Sequence, residues 1–278
     1  MARLTRIIAF QALVLMVLVA HNVPAQVLIG PVVGGQLGWV TFKEKDNRRL
    51  YSSKPGLTFH AGASLSFRMS KTVFLHTSVL YNQKNKDLSG RLDPKFSNEA
   101  KLNFIDIPIS FTKEVKMQVG KNKYYNLYFG AGPTVSYWLG GRGTLTSSEL
   151  NENTINPPNY DLPYTIAFND NPQEIPLGTM NVADANRIQL GLNFTAGVVF
   201  EPMRRQRFML TLRYELGHSY FSQDTDGDYG LAGVLFYEDD MQSRPQSLGA
   251  SLFYFVDLKT EERKKGKSTS KIKVKRRR

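Results

Sequence analysis

Apolar and polar residues alternate one for one along much of this chain, and residues 57–69 show the rhythm most clearly. Leu57, Phe59, Ala61, Ala63, Leu65, Phe67 and Met69 alternate with Thr58, His60, Gly62, Ser64, Ser66 and Arg68. Successive side chains of a strand point to opposite faces, so such a run has one apolar and one polar face. In a soluble sandwich the apolar face would meet a second sheet; in an outer-membrane barrel it meets lipid while the polar face lines the lumen. The period-two runs predict eight strands, at 29–42, 56–69, 72–84, 101–113, 123–138, 187–200, 207–218 and 246–258.

The connections decide between the two solvents. They are 13, 2, 16, 9, 48, 6 and 27 residues long, so every second one is long. A bacterial barrel has short periplasmic turns and long outer loops, and a sandwich has no reason to keep that alternation. An even strand count then places both termini in the periplasm. Nearly every strand exceeds the roughly 9–11 residues that a tilted strand needs to cross a bilayer. Outward parity gives Ile105, Ile107, Ile109 and Phe111 on the fourth strand and Phe208, Leu210, Leu212, Tyr214 and Leu216 on the seventh. The same parity puts Trp39, Tyr81 and Tyr137 near the outer rim, and Tyr125, Phe200, Phe208 and Tyr254 near the periplasmic rim. Two aromatic bands are what membrane interfaces select. The expected fold is all-β: an eight-stranded antiparallel transmembrane β-barrel over residues 26–258, in the outer membrane of a Gram-negative bacterium.

The ends of the chain refine this. Residues 1–25 read as a signal peptide: Arg3 and Arg6 precede an apolar core from Ile7 to Ala20, and Val23-Pro24-Ala25 offers a cleavage site before Gln26. That core is shorter than the roughly 20 residues a spanning helix needs. Of the net charge of +12, the segment 259–278 carries most, with eleven Lys or Arg against two Glu, so the barrel itself is nearly neutral. That segment has too little apolar content to fold alone and is expected to be a disordered basic periplasmic tail. Export removes nucleic acid as its partner. With no cysteine, disulfides, thiolate metal sites and cysteine nucleophiles are excluded.

Two motifs carry a family resemblance. The run Leu102-Asn103-Phe104-Ile105-Asp106-Ile107-Pro108-Ile109 resembles the Leu-x-Tyr-Leu-Glu-Ile-Pro strand of the outer-membrane β-barrel domain common in Bacteroidetes, the porin family or PorT-like group. Tyr128-Phe129-Gly130-Ala131-Gly132-Pro133 resembles the Gly-x-Gly-Pro strand that follows it there, and Asp106 stands where that group more often has Glu. Ser247 to Tyr254 is similar in order to the terminal-strand signal read by the barrel-assembly machinery. The resemblance implies the barrel and no biochemical activity; PorT-like members imply an accessory to envelope secretion or gliding machinery.

Candidate chemistry is sparse. Inward parity collects His60, Arg68, His76, Asp106, Arg187, Arg213, Glu215 and Asp257. An unpaired buried charge costs several kcal/mol, so Arg68, Asp106, Arg213 and Glu215 are expected to form a lumen charge network. Inward Phe74, Tyr128, Phe253 and Phe255 predict a plug, and inward Gly34, Gly38, Gly130, Gly132, Gly191 and Gly249 leave room for bulky neighbours. His76 and Ser78 share a face as a hydrolase pair would, but the sequence places no acid beside them. Asp224, Asp226 and Asp228 alternate as calcium ligands can, yet lack the glycine position and the closing Glu of a calcium loop; a solvated acidic loop and no cofactor are expected. Gly140 to Thr144 lacks the lysine and strand-to-helix context of a phosphate cradle. The long third loop, 139–186, is expected to meet a surface ligand or partner. In the tail, Lys271-Ile272-Lys273-Val274-Lys275 alternates with period two and could add to another protein's sheet edge, with Arg276, Arg277 and Arg278 steering it to an acidic periplasmic partner or peptidoglycan. The function these features predict is a non-enzymatic envelope scaffold or interaction protein embedded in outer-membrane lipid; the alternative is a narrow porin or small-solute channel.

Overall fold

The computed structural model describes residues 27–92, 95–119, 123–146, 161–169, 176, 178–182, 184–203, 206–222, 228–229 and 241–258. The leader and the basic tail lie outside the described residues. In chain order the elements are β1 (Val27–Phe42), α1 (Lys45–Leu50), β2 (Tyr51–Lys54), β3 (Gly56–Arg68), β4 (Val73–Gly90), β5 (Ser97–Val119) and β6 (Lys123–Thr146). There follow β7 (Leu162–Ala167), β8 (Thr179–Asn181), β9 (Ile188–Met203), β10 (Gln206–Gly217), β11 (Asp228–Tyr229) and β12 (Ser243–Asp257).

Eight of these strands close on themselves in the order β1-β3-β4-β5-β6-β9-β10-β12, with every pair antiparallel and β12 returning to β1. Each of the eight strands read from the sequence is one stave of this ring. Closure leaves no sheet edge in the hydrocarbon, where an unpaired N–H or C=O costs several kcal/mol. The outward parity also holds: Leu57 is 74% exposed, Ile188 68% and Leu212 60%, while Thr58, Gln189, Thr211 and Arg213 beside them are buried. Such a band of exposed Leu, Ile and Phe is a lipid-facing surface. Among the described residues no helix is long and apolar enough to cross a membrane; the strands do the crossing. Trp39, Tyr81 and Tyr137 ring one end of the band, and Tyr125, Phe200, Phe208 and Tyr254 the other, with Phe208 and Tyr254 in contact across strands at 4.8 Å.

The strand lengths differ from expectation, β4 and β6 at the lobe end and β5 at both ends. β4, β5 and β6 run well past their predicted limits, and the third connection, expected to be a loop, contains β7 and β8. β7 pairs antiparallel with β6, β8 lies parallel to β7, and β11 pairs with β8. β2 adds to β4 over Asp87–Gly90. Together these form a lobe beyond the rim, with its own core. Val40, Phe42, Leu88, Phe96, Leu102, Phe104, Trp138, Leu145 and Met180 are all buried in it. Trp138 is its centre, stacked on Phe104 and edge-on to Phe168 at 4.7 Å. A bulge opposite Asn103 and Phe104 lets β6 turn into the lobe, and Gly140 there takes φ +143°, a conformation that disfavours a side chain.

Candidate functional site

Parity places the polar side of every stave inside, so the site is read down the lumen from the lobe. Beneath the Phe104–Trp138 cap, the Lys84 ammonium lies 2.7 Å from Glu215 Oε1 and 3.3 Å from Asp106 Oδ2, and donates to Ser136 at 3.1 Å. Its ammonium also stands 4.7 Å from the centre of the Phe104 ring. Asn82 donates to Asp106 (2.6 Å) and accepts from Gln36 (2.8 Å), and Arg213 donates to Gln36 Oε1 at 3.3 Å. Asp106, Glu215 and Arg213 are therefore brought to one level, and the cation bridging the two carboxylates is Lys84. The sequence reading ended its third strand at Lys84; the inward parity shared with His76, Ser78 and Asn82 was the signal for it. Gln36 and Asn82 were missed because uncharged amides give no pairing demand.

Arg68 does not join this network. It sits at the mouth opposite the lobe, donating to the carbonyls of Ser70 and Lys71 and lying over the Phe74 ring. A strand end facing solvent imposes no need for a buried counter-charge, which is why parity alone misplaced it. A second buried cation does lie near that mouth: Arg207 pairs with Glu114 and Glu201, its guanidinium 4.3 Å from the centre of Phe74. Arg187, also grouped with the inward charges, leaves the lumen at the rim and lies between Tyr137 and Phe168, 4.8 Å from each ring.

Between the two charged levels is a chamber of about 40 Å³, bordered by His76, Ser110, Asn193, Thr211, Arg213 and Ser251. A volume of that size holds only a few waters. Below it Leu28, Tyr128, Val199, Met209 and Phe255 form a second apolar plug, with Phe253 against it, and Tyr128 is hydrogen-bonded to Thr211. The fit is close enough that two glycines matter: a Cβ on Gly34 would collide with the His60 imidazole, and one on Gly249 with Gln36.

Among the described residues the lumen brings no hydrolytic triad together. His76 stacks on Phe74 and lies tilted against Phe255, 6.0 Å from each, and neither ring nitrogen has a hydrogen-bond partner among the described residues. Ser78 donates instead to Ser64 (2.9 Å). A different pair, His60 Nε2 and Ser251 Oγ, is 2.7 Å apart, but His60 Nδ1 has no orienting acid among the described residues and both are buried. Among the described residues no three His, Asp or Glu side chains are grouped to hold a metal. Asp224 and Asp226 lie outside the described residues, as do Lys271 to Arg278; of Asp228 the backbone pairing with Asn181 is described and the side chain is not.

On the lobe, β4–β7 enclose an open cleft of about 400 Å³, lined by Asp87, Glu99, Lys101, Arg142, Tyr164 and Thr165. It falls partly on the third connection, where a surface ligand was expected. Tyr164 is anchored under it by a hydrogen bond to Asn98 (2.7 Å). Asp87 lies beyond the Tyr81 rim, outside the lipid-facing band. Burial, aided by the Glu99 carboxylate and opposed by a hydrogen bond with Asn85, raises its carboxyl above the ordinary Asp value.

A closed ring with a lipid-facing apolar band and a polar interior defines an outer-membrane β-barrel protein. Residues 20–219 match the model of the outer membrane protein beta-barrel domain family, and the chain belongs to that family. No protein of curated function matches the chain. Among solved structures, the fold is similar to Neisserial surface protein A, at 11% identity over 83% of this chain and 96% of that one, TM-score 0.35. It is likewise similar to the attachment invasion locus protein Ail of Yersinia pestis, at 11% identity over 83% and 99%, TM-score 0.36. The outer membrane protease OmpT of Escherichia coli is more distant, at 8% identity over 84% and 95%, TM-score 0.24. Likenesses this remote carry nothing about activity.

Proposed function

We propose that the protein is a non-enzymatic envelope scaffold or interaction protein of the PorT-like kind found in Bacteroidetes. The barrel anchors, the lobe presents the Asp87–Arg142 cleft at the cell surface, and the basic tail holds a periplasmic partner or peptidoglycan. Both termini are then periplasmic. The supporting observation is a lumen filled at successive levels by the Trp138 cap, the Lys84 ion cluster and the Phe255 plug, beside a lobe that has a core of its own. Strand length and apolar side chains are invested in the lobe beyond what crossing a bilayer requires. A role beside secretion or gliding machinery is a narrower form of the same reading.

The competing channel reading is tested in planar bilayers with the full-length protein. No unit conductance is expected, and sustained steps would overturn the scaffold reading. Orientation is tested by the absence of native cysteine. Leu92→Cys should react with a membrane-impermeant maleimide on intact cells, and Leu258→Cys should not. For the tail, truncation after Leu258 should leave assembly intact and remove a salt-sensitive partner from envelope pull-downs.

A further inference from the structure

Lys84 on β4 and Asp106 on β5 extend into the lumen from neighbouring strands, and Glu215 reaches them from β10 across the ring. The Lys84 Nζ stands 3.3 Å from Asp106 Oδ2 and 2.7 Å from Glu215 Oε1, and none of the three side chains is more than 5% exposed. The Phe104 ring lies 4.7 Å from the ammonium, and its stack with Trp138 closes the site on the lobe side. Asn82 donates to Asp106 Oδ2 at 2.6 Å. Asp106 Oδ1 and Glu215 Oε2 are buried with no hydrogen-bond partner among the described residues. An amine, a carboxyl and a second carboxyl are thus held together in a dry, aromatic-capped site.

A buried ion pair retains a desolvation cost that a neutral amide would remove. An amine and a carboxyl fixed at near-attack distance have already lost the entropy of meeting, and exclusion of water disfavours hydrolysis back. A carboxylate beside the amine can take its proton and return it. The chain has no cysteine, so the covalent staple usual in exported proteins is closed to it. We propose that Lys84 and Asp106 condense to an isopeptide bond once the barrel has assembled, with Glu215 as the proton shuttle. Glu215 takes a proton from the Lys84 ammonium, and the free amine attacks Asp106 Cγ. The negative charge that develops on Oδ2 is met by the Asn82 amide. Oδ1 then leaves as water, its two protons both drawn from the former ammonium through Glu215, which ends as it began. A C–N bond replaces a C–O bond, and nothing is oxidised or reduced. The freshly folded chain carries the ion cluster; the bond accumulates afterwards and staples β4 to β5 where the ring passes into the lobe.

The test is peptide mapping by mass spectrometry of the full-length protein, refolded from urea into detergent and sampled over time, with heat-modifiable mobility marking the assembled fraction. The assembled chain should give a branched tryptic peptide joining 72–86 to 102–113, lighter by one water than the two together, and should lose cleavage after Lys84. The urea-unfolded chain should show neither change. Glu215→Gln, which keeps the side-chain volume, should slow accumulation at least tenfold, and Lys84→Arg should abolish it. Asp106→Asn should form the same bond by loss of ammonia, giving a branched peptide of the wild-type mass. Assembled wild-type protein that is cleaved at Lys84 throughout and gives no branched peptide overturns the proposal, and that measurement needs no variant. A branch to the peptide carrying Glu215 overturns it as well, and so does equal accumulation in assembled Glu215→Gln, which would remove the shuttle.

Discussion

The same strands are apolar outside and polar inside within the membrane, and polar outside and apolar inside in the lobe. β5 shows the exchange within one segment. Ile105, Ile107 and Phe111 point outward opposite inward Asp106, Ser110 and Thr112; a few residues earlier, Glu99 and Lys101 point outward while Ala100, Leu102 and Phe104 are buried. Along β5 the backbone parity never slips; the solvent around it does. Where hydrocarbon surrounds the ring, the low-energy outward residue is Ile or Leu and hydrogen-bonding groups are stacked inside. Where water surrounds it, the ordinary hydrophobic effect returns and the interior takes the Trp138 core. The crossover falls at the Lys84–Asp106–Glu215 cluster, which lies directly beneath the lobe core. Period-two alternation therefore gives the strand, and its phase reports the solvent.

The largest expected effect is at that crossover. Lys84→Met leaves Asp106 and Glu215 buried without their shared cation, and breaking a buried pair in this way costs about 3–5 kcal/mol. Replacing all three, as Lys84→Met with Asp106→Asn and Glu215→Gln, removes the charges together and should recover most of the loss. Urea unfolding in detergent, followed by the heat-modifiable gel shift, measures both. A triple variant as unstable as the single one would mean that the cluster holds the two regions together by shape and not by charge.

Next in size is a pair of substitutions on the outward face. Leu212→Arg, between the Phe208 rim and Tyr214, puts a guanidinium into hydrocarbon at a cost of about 2–4 kcal/mol and should block assembly. Ser89→Arg, equally outward but in the lobe, meets water and should stay within about 0.5 kcal/mol. Comparable losses at the two sites would place the lobe inside the membrane. Thr211→Arg, which parity alone would treat as a mild lumen change, is no control here, because Thr211 is buried against Tyr128.

The ring was legible for this reason: seven or eight alternations in succession, with long and short connections in turn, leave few other folds. The lobe was not legible, because its signal is the same alternation in opposite phase. Over 85–100, outward Asp87 and Glu99 and inward Lys86 interrupt the apolar rhythm, and the eye sees a polar loop. β7 and β8 are short and pair with β6 and with each other through contacts that no local pattern announces. In the lumen, the identities of Asp106, Arg213 and Glu215 were readable from parity, but their bridging partner was not, since a charge at a presumed strand end reads as solvated. Arg207 and Glu114 escaped for a like reason: Arg207 stood at the first position of the expected seventh strand and Glu114 in the turn after the fourth, and both lie inside strands of the structure.

The smallest expected effect probes the lobe as a water-exposed region with its own stability. The Asp87 carboxyl is raised above its unfolded value by burial and by Glu99. A raised acid binds its proton more tightly in the folded state, so stability is full below the unfolded carboxylate pKa and falls as pH rises through the folded one. Lobe stability should therefore decline over the weakly acidic range and level off above it, and Asp87→Asn should flatten that decline while leaving the ring unchanged. Hydrogen exchange of the β4–β5 amides across pH, against those of β9 and β10 in the same sample, reads both at once. Asp87 is only half-buried, so the change is a modest shift confined to the lobe. An equal pH response in β9 and β10 would mean that lobe and ring unfold as one unit, and that the inversion of polarity marks a change of solvent without a boundary in stability.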